Sequence, residues 1–150
     1  MKDFETYIFD LDGTLLNSLN DLAMSTNYAL RWAGMQERTV EEVRMFVGNG
    51  VKLLMERAIP GGLDNPRFDE TYAKFREHYL KHNLDTTRPY EGIPEMLNIL
   101  KQRGKRLAIV SNKFYEATQE LAKHFFPETI EVAIGERENI RKKPAPDTVL

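Results

Sequence analysis

The 150-residue chain has no cysteine, one tryptophan and no long hydrophobic run. Without cysteine there is no disulfide framework and no thiolate metal site. That absence fits a reducing compartment, so a cytoplasmic location is expected. The longest apolar runs fall far short of the ~20 residues that a membrane-spanning helix needs, so no membrane partner is expected. The N-terminus, Met1-Lys2-Asp3-Phe4-Glu5, carries acids early and lacks an apolar stretch ending in small residues, so no secretory signal is expected. An excess of one charge is also missing. Lys and Arg total 21 against 23 Asp and Glu, which leaves a net charge of −2 and no basic footprint for nucleic acid. No repeat or low-complexity segment occurs, and no Gly-rich dinucleotide fingerprint comes after an apolar run. The rest, 41% hydrophobic and 29% charged, is a globular composition with length for about one domain or a small domain with an insert.

Tyr7-Ile8-Phe9 has strand propensity and stops abruptly at Asp10-Leu11-Asp12-Gly13-Thr14, the pattern of a buried parallel strand ending in a polar loop. Four helical patterns come next. The first carries Leu19, Leu22, Ala23, Thr26, Ala29, Leu30 and Ala33 on one face, with Ser18 as N-cap, Asp21 three residues on and Gly34 as the stop. The second opens on Thr39-Val40-Glu41-Glu42, a capping box, and ends at Gly48-Asn49-Gly50. The third spans about Val51 to Ile59. The fourth has Asn65 as cap, Pro66 at its first position and the stripe Phe68, Tyr72, Phe75, Tyr79. Trp32 and that stripe read as core. His78 and His82 are four apart, but no third metal ligand accompanies them. These helices need no strand to cover their apolar faces, so residues 16–86 are expected to form a helical bundle of their own.

The alternation then changes to an amphipathic helix through Ile93, Met96, Leu97 and Leu100, and a strand Leu107-Ala108-Ile109-Val110 ending at Ser111-Asn112. A helix from about Tyr115 to His124 and a strand Glu131–Ile134 ending at Gly135 complete the pattern. Strand, helix, strand with short connections implies a parallel sheet. The expected fold is therefore α/β, a parallel-sheet Rossmann-like core from residues 1–15 and 87–150, interrupted by the bundle. Sites in such sheets form at the carboxyl ends of the strands. Asp10, Asp12, Ser111 and Asn112 should thus meet on one rim although about a hundred positions separate them.

Two carboxylates leaving one strand end together require a cation or a shared proton. Mg2+ takes one or two carboxylates plus substrate phosphate oxygens. A carboxylate can also attack phosphorus and form an aspartyl phosphate, while its neighbour exchanges a proton with the leaving oxygen and then with water. Ser111 offers a hydroxyl to a phosphoryl oxygen, and Lys143 a positive charge. Each signal alone has a plainer reading. Asp-x-Asp-Gly can be an Asx turn, Ser111 a turn or cap residue, and Arg141-Lys142-Lys143 a solvated basic patch. Their order after successive strands is what joins them.

Asp10-Leu11-Asp12-Gly13-Thr14-Leu15 resembles the first motif of the haloacid dehalogenase superfamily of phosphohydrolases. Ile109-Val110-Ser111-Asn112-Lys113 resembles its second, and Lys142-Lys143-Pro144-Ala145-Pro146-Asp147 its third. The resemblance implies a doubly wound core with a mobile helical cap inserted after the first motif. It implies Asp10 as nucleophile and Mg2+ ligand, and Asp12 as acid/base with its backbone carbonyl on the metal. It further implies Thr14, Ser111, Asn112 and Lys143 around the phosphoryl group. Phe46-Val47-Gly48-Asn49-Gly50-Val51, Pro89-Tyr90-Glu91-Gly92-Ile93 and Gly104-Lys105-Arg106-Leu107 are similar to the phosphoglycolate phosphatases within that superfamily. That likeness makes Asn49 and Lys52 candidate substrate contacts; their plainer reading is a helix stop and a solvated lysine. The family's fourth motif, an acidic cluster supplying a further metal ligand, is not found, so a core incomplete at its C-terminus is expected, with β-edge exposure at Tyr7–Phe9. The implied function is Mg2+-dependent hydrolysis of a small phosphorylated metabolite. Two alternatives stand beside it, a sugar-phosphate mutase and a non-catalytic phosphate-binding module. Oligomeric state is left open.

Overall fold

A computed structural model describes residues 5–136. The chain divides into two compact units. One contains the described residues up to Asn17 and from Arg88 onward; the other is Ser18–Thr87. In chain order the elements are β1 (Thr6–Phe9), β2 (Leu16–Asn17), α1 (Leu19–Trp32), α2 (Val40–Phe46), α3 (Val51–Ala58) and α4 (Phe68–His82). They continue with β3 (Arg88–Pro89), α5 (Ile93–Gln102), β4 (Arg106–Phe114), α6 (Tyr115–Phe125) and β5 (Val132–Glu136).

In the first unit β1, β4 and β5 form a parallel sheet in that order. Phe9 pairs with Ile109 and Ile109 with Ala133. Among the described strands β4 is central and nearly continuously buried, as expected of a parallel strand with a neighbour on each side. β1 lies at the edge among those strands, and its Ile8 is 54% exposed. α5 packs on β4, and α6 on β4 and β5. The strand expected to end at Ser111-Asn112 runs on to Phe114, with its ladder to β5 shifted between Val110 and Phe114. The reason is that Ser111 and Lys113, loop-like in sequence, are buried with partners of their own. Gly135 lies tight against this stretch. A Cβ there would meet the Tyr115 Cα and Thr118 Oγ1 at 2.6 Å and the Lys113 carbonyl oxygen at 2.8 Å. A short antiparallel ribbon, Leu16 against Pro89 and Asn17 against Arg88, was not anticipated.

In the second unit α1 packs chiefly on α4. Phe75 and Tyr79 are fully buried and stacked at 5.7 Å between centroids. Each fully buried side chain of this size contributes about 1.5–3 kcal/mol. The capping box of α2 forms as expected, with Thr39 Oγ1 accepting from the Glu42 N–H at 3.1 Å and Glu42 Oε1 from the Thr39 N–H at 3.0 Å. Three expectations are corrected. Ser18 occupies the N-cap position of α1 but makes no side-chain capping bond. Asn65 does not cap α4. Its Oδ1 accepts from the Arg67 N–H at 2.8 Å, an Asx turn that uses up Pro66 and delays the helix to Phe68. Trp32 is not core: it is 44% exposed, with Arg67 and Lys74 cations 5.5 and 5.1 Å from its ring.

Asp21, almost fully buried, ties the start of α1 to the end of the same unit. Its carboxylate accepts from the N–H and hydroxyl of both Thr86 and Thr87, at 2.7–3.0 Å. Burial works against its ionisation, but these hydrogen bonds together outweigh it and hold Asp21 below its ordinary value of 3.8. His78 and His82 stack at 4.2 Å rather than converging on a point. His78 Nδ1 pairs with the Ser25 hydroxyl and His82 Nδ1 with Asp85. Burial, with the charges of His82 and Arg31, holds His78 below its ordinary range against the pull of Asp85.

Candidate active site

β1 delivers Asp10 and Asp12 past its carboxyl end because Leu11, fully buried between them, anchors the turn that comes after. The carbonyl of Leu11 accepts from Thr14, Leu15 and Leu16, and Asp10 Oδ1 accepts from the Leu11 N–H at 2.8 Å. Asp10 and Thr14 are exposed, and the Asp12 side chain is 27% exposed. On the neighbouring strand Ser111 is buried and Asn112 half-buried, two and three residues beyond Ile109, the partner of Phe9.

A lysine to which the sequence motifs assign no role joins the two strand ends. Lys113 Nζ lies 2.9 Å from Asp12 Oδ1, and its backbone N–H donates to Ser111 Oγ at 3.1 Å. A serine oxygen that accepts there keeps its own O–H as a donor. The sequence carries no signal for Lys113, because the strand is expected to end at Ser111-Asn112 and leaves the lysine past it. Asp10 and Asp12 are a pair of hard oxygen donors. That set suits Mg2+, which takes one or two carboxylates and completes its shell from water and phosphate. Among the described residues no third carboxylate or imidazole forms a metal-holding group with them.

Asn49 and Lys52 belong to the helical unit. Asn49 sits in a loop that two glycines turn, with φ of +116° at Gly48 and +94° at Gly50. Arg57 clamps that loop, donating to the Phe46 carbonyl at 2.8 Å and to Asn49 Oδ1 at 3.2 Å. Lys52 is exposed in the first turn of α3. Lys143 lies outside the described residues. No helix among the described residues is long and apolar enough to cross a membrane.

Residues 7–150 match the family model described as haloacid dehalogenase-like hydrolase. The chain is 34% identical over 145 residues to a phosphoglycolate phosphatase of Aquifex aeolicus, covering 95% of this chain and 66% of that protein. It is 35% identical to one from Mannheimia succiniciproducens, covering 86% of this chain and 63% of the relative. The chain therefore spans less than two thirds of the length of these relatives. A solved structure from Haemophilus somnus, described as a predicted phosphoglycolate phosphatase, superposes with a TM-score of 0.87 at 31% identity. That match covers 97% of this chain and 68% of the other.

Proposed function

The chain belongs to the haloacid dehalogenase-like hydrolases, and from that premise we propose that the complete protein is a Mg2+-dependent phosphatase of a small phosphomonoester, with 2-phosphoglycolate the first substrate to try. One observation carries the reading. Past the carboxyl end of β1, Asp12 meets the ammonium of Lys113 from the neighbouring parallel strand β4, whose backbone N–H bonds Ser111 Oγ, and Asp10 stands two residues before Asp12. The names of the relatives support the substrate class.

In this reading a carboxylate oxygen of Asp10 attacks phosphorus, and the ester P–O bond breaks as the leaving oxygen takes a proton from Asp12. Asp12 then takes a proton from water, whose oxygen attacks phosphorus and frees Asp10 and inorganic phosphate. Ser111, Asn112 and Thr14 would bond the phosphoryl oxygens, and Lys143 would neutralise their charge. The Asp10 carboxylate and the Asp12 backbone carbonyl would hold Mg2+, which supplies neutralisation of the charge that spreads over the phosphoryl oxygens. By family likeness the helical unit serves as a cap, with Asn49 and Lys52 as substrate contacts.

The test is phosphate release by the complete protein from a panel of small phosphomonoesters, with and without Mg2+. Asp10→Asn should lower kcat by about a thousandfold or more, as loss of a nucleophile does, without lowering the melting temperature. Metal-independent release, or a variant within tenfold of wild type, would refute the reading.

A further inference from the structure

We propose that Lys113 is a positioning residue whose ammonium fixes the Asp12 carboxylate for both proton transfers. The inference rests on the phosphatase reading and adds to it a residue from the second strand. The Lys113 side chain is wholly removed from solvent, while its partner Asp12 remains 27% exposed. Dehydrating an ammonium is expensive, and an apolar side chain of the same length would fill the space without that penalty, so stability alone does not explain the charge. The cation is instead aimed at the site, 2.9 Å from Asp12 Oδ1.

The backbone beneath that side chain is closely held. Its N–H is bonded to Ser111 Oγ, and its carbonyl lies so close to Gly135 that a Cβ there would sit 2.8 Å away. The shift in the β4–β5 ladder between Val110 and Phe114 spans the same residue. Irregularities of this kind re-aim side chains beside sites. A rigid base, a buried stem and an ammonium bonded to one carboxylate oxygen together restrict the rotation of the Asp12 carboxylate. A group that gives a proton to a leaving oxygen and takes one from water must hold one orientation through both steps. Lys113 also holds the Ser111 oxygen, so a single residue sets two groups of the site relative to each other.

Lys113→Met and Lys113→Arg in the complete protein test this, with phosphate release from 2-phosphoglycolate in Mg2+ and a thermal melt for each. Lys113→Met should lower kcat by about a hundredfold, the lower range for a general acid/base, with KM within threefold of wild type. Lys113→Arg keeps the charge but misplaces the donor, so kcat should recover to about a tenth of wild type, again with KM little changed. If Lys113→Met fails to melt cooperatively, Lys113→Arg alone is read against the same expectation. The proposal is overturned by a folded variant with kcat within threefold of wild type, or by a kcat loss matched by an equal rise in KM. Loss of cooperative melting in both variants also overturns it, because the pair is then architectural. If wild type releases no phosphate, or Asp10→Asn is as active as wild type, the phosphatase reading itself has failed and this inference falls with it.

Discussion

In the helical unit, side chains hold the chain's own backbone together. Asn27 bonds both the N–H and the carbonyl of Arg38, Arg38 reaches the Ala58 carbonyl, Arg57 the Phe46 carbonyl and Arg67 the Ala33 carbonyl. Asp21 gathers the backbone N–H groups of Thr86 and Thr87. In the sheet unit the ladder meets the same need, strand to strand, and the buried Lys113 side chain at its rim engages another side chain, the Asp12 carboxylate. The contrast arises from how each element satisfies its backbone. Every helix end leaves N–H or C=O groups without an intrahelical partner, so a bundle of short helices consumes polar side chains as staples. A parallel sheet pairs its central strand on both sides and can place polar side chains at the strand ends for chemistry. The two carboxylate environments show the difference. Asp21 is enclosed and bonded by two threonines, whereas Asp12 is bonded by Lys113 and keeps a solvent-facing part.

The largest structural effect should come from breaking the helical unit's charged staple. Asp21→Asn keeps the volume but removes the charge that the N–H and hydroxyl donors of Thr86 and Thr87 share. Hydrogen bonds to a charged group are worth up to about 3 kcal/mol. Urea unfolding should show that loss, and proteolysis should concentrate between residues 18 and 87. Because folding holds Asp21 below its ordinary value of 3.8, the unfolded chain binds its proton first as pH falls, and the proton opposes the folded state. The stabilisation should be complete above about pH 4 to 5 and lost as pH drops through the depressed folded value. Asp21→Asn should lack that component. A variant with wild-type stability at neutral pH would mean that the threonine bonds are incidental and the contrast between the units is wrong.

Next in size is the sheet unit's dependence on close backbone approach. Gly135→Ala drives a methyl group into Tyr115 Cα and the Lys113 carbonyl, which are backbone and cannot swing aside. Overpacking of this kind costs about 2 kcal/mol. The same substitution pushes on the residue that holds Asp12, so kcat should fall along with the melting temperature. In Asp21→Asn the kcat of the molecules that remain folded should stay near wild type. Equal effects of the two substitutions on kcat would remove the distinction between staple and site.

Apolar spacing made most of the elements legible, because burial leaves a period in the sequence: the three strands of the sheet and α1 through α6 lie within a few residues of where Leu22, Leu54, Leu97, Ile109 and Leu121 place them. The position of Asp10 and Asp12 just past the first strand was legible because an apolar run that stops at acids marks where a buried strand ends. The long-range polar pairs were concealed. Asp21 resembled a capping partner for Ser18 because its true partners, Thr86 and Thr87, are about 65 residues away. The strand through Ile109 is expected to end at Ser111-Asn112, with Ser111 as a turn or cap residue, because a polar residue advertises exposure in sequence even where a specific partner buries it. Asn65 misled in the opposite way: an Asx turn and an N-cap use the same side chain and differ only in where the helix begins.

The smallest effect should come from a staple that is wholly local. Thr39 and Glu42 cap α2 reciprocally, and both sit at the surface. The bond from the Thr39 N–H holds Glu42 below its ordinary value against the cost of desolvation, helped by the threonine hydroxyl and by Arg38. Thr39→Ala removes only the hydroxyl. The N–H of residue 39 remains to bond Glu42, so half of the box survives, and the expected loss is about 1 kcal/mol, as for other capping residues. If each bond steadies the other, either single substitution already forfeits the shared part. Thr39→Ala with Glu42→Ala should then cost less than the sum of the two, and a double-mutant cycle by urea unfolding would read that coupling. Strict additivity would show two independent bonds. The capping box would then stabilise α2 without acting as a staple, and only residues that reach across the unit, such as Asp21 and Arg38, would belong in that class.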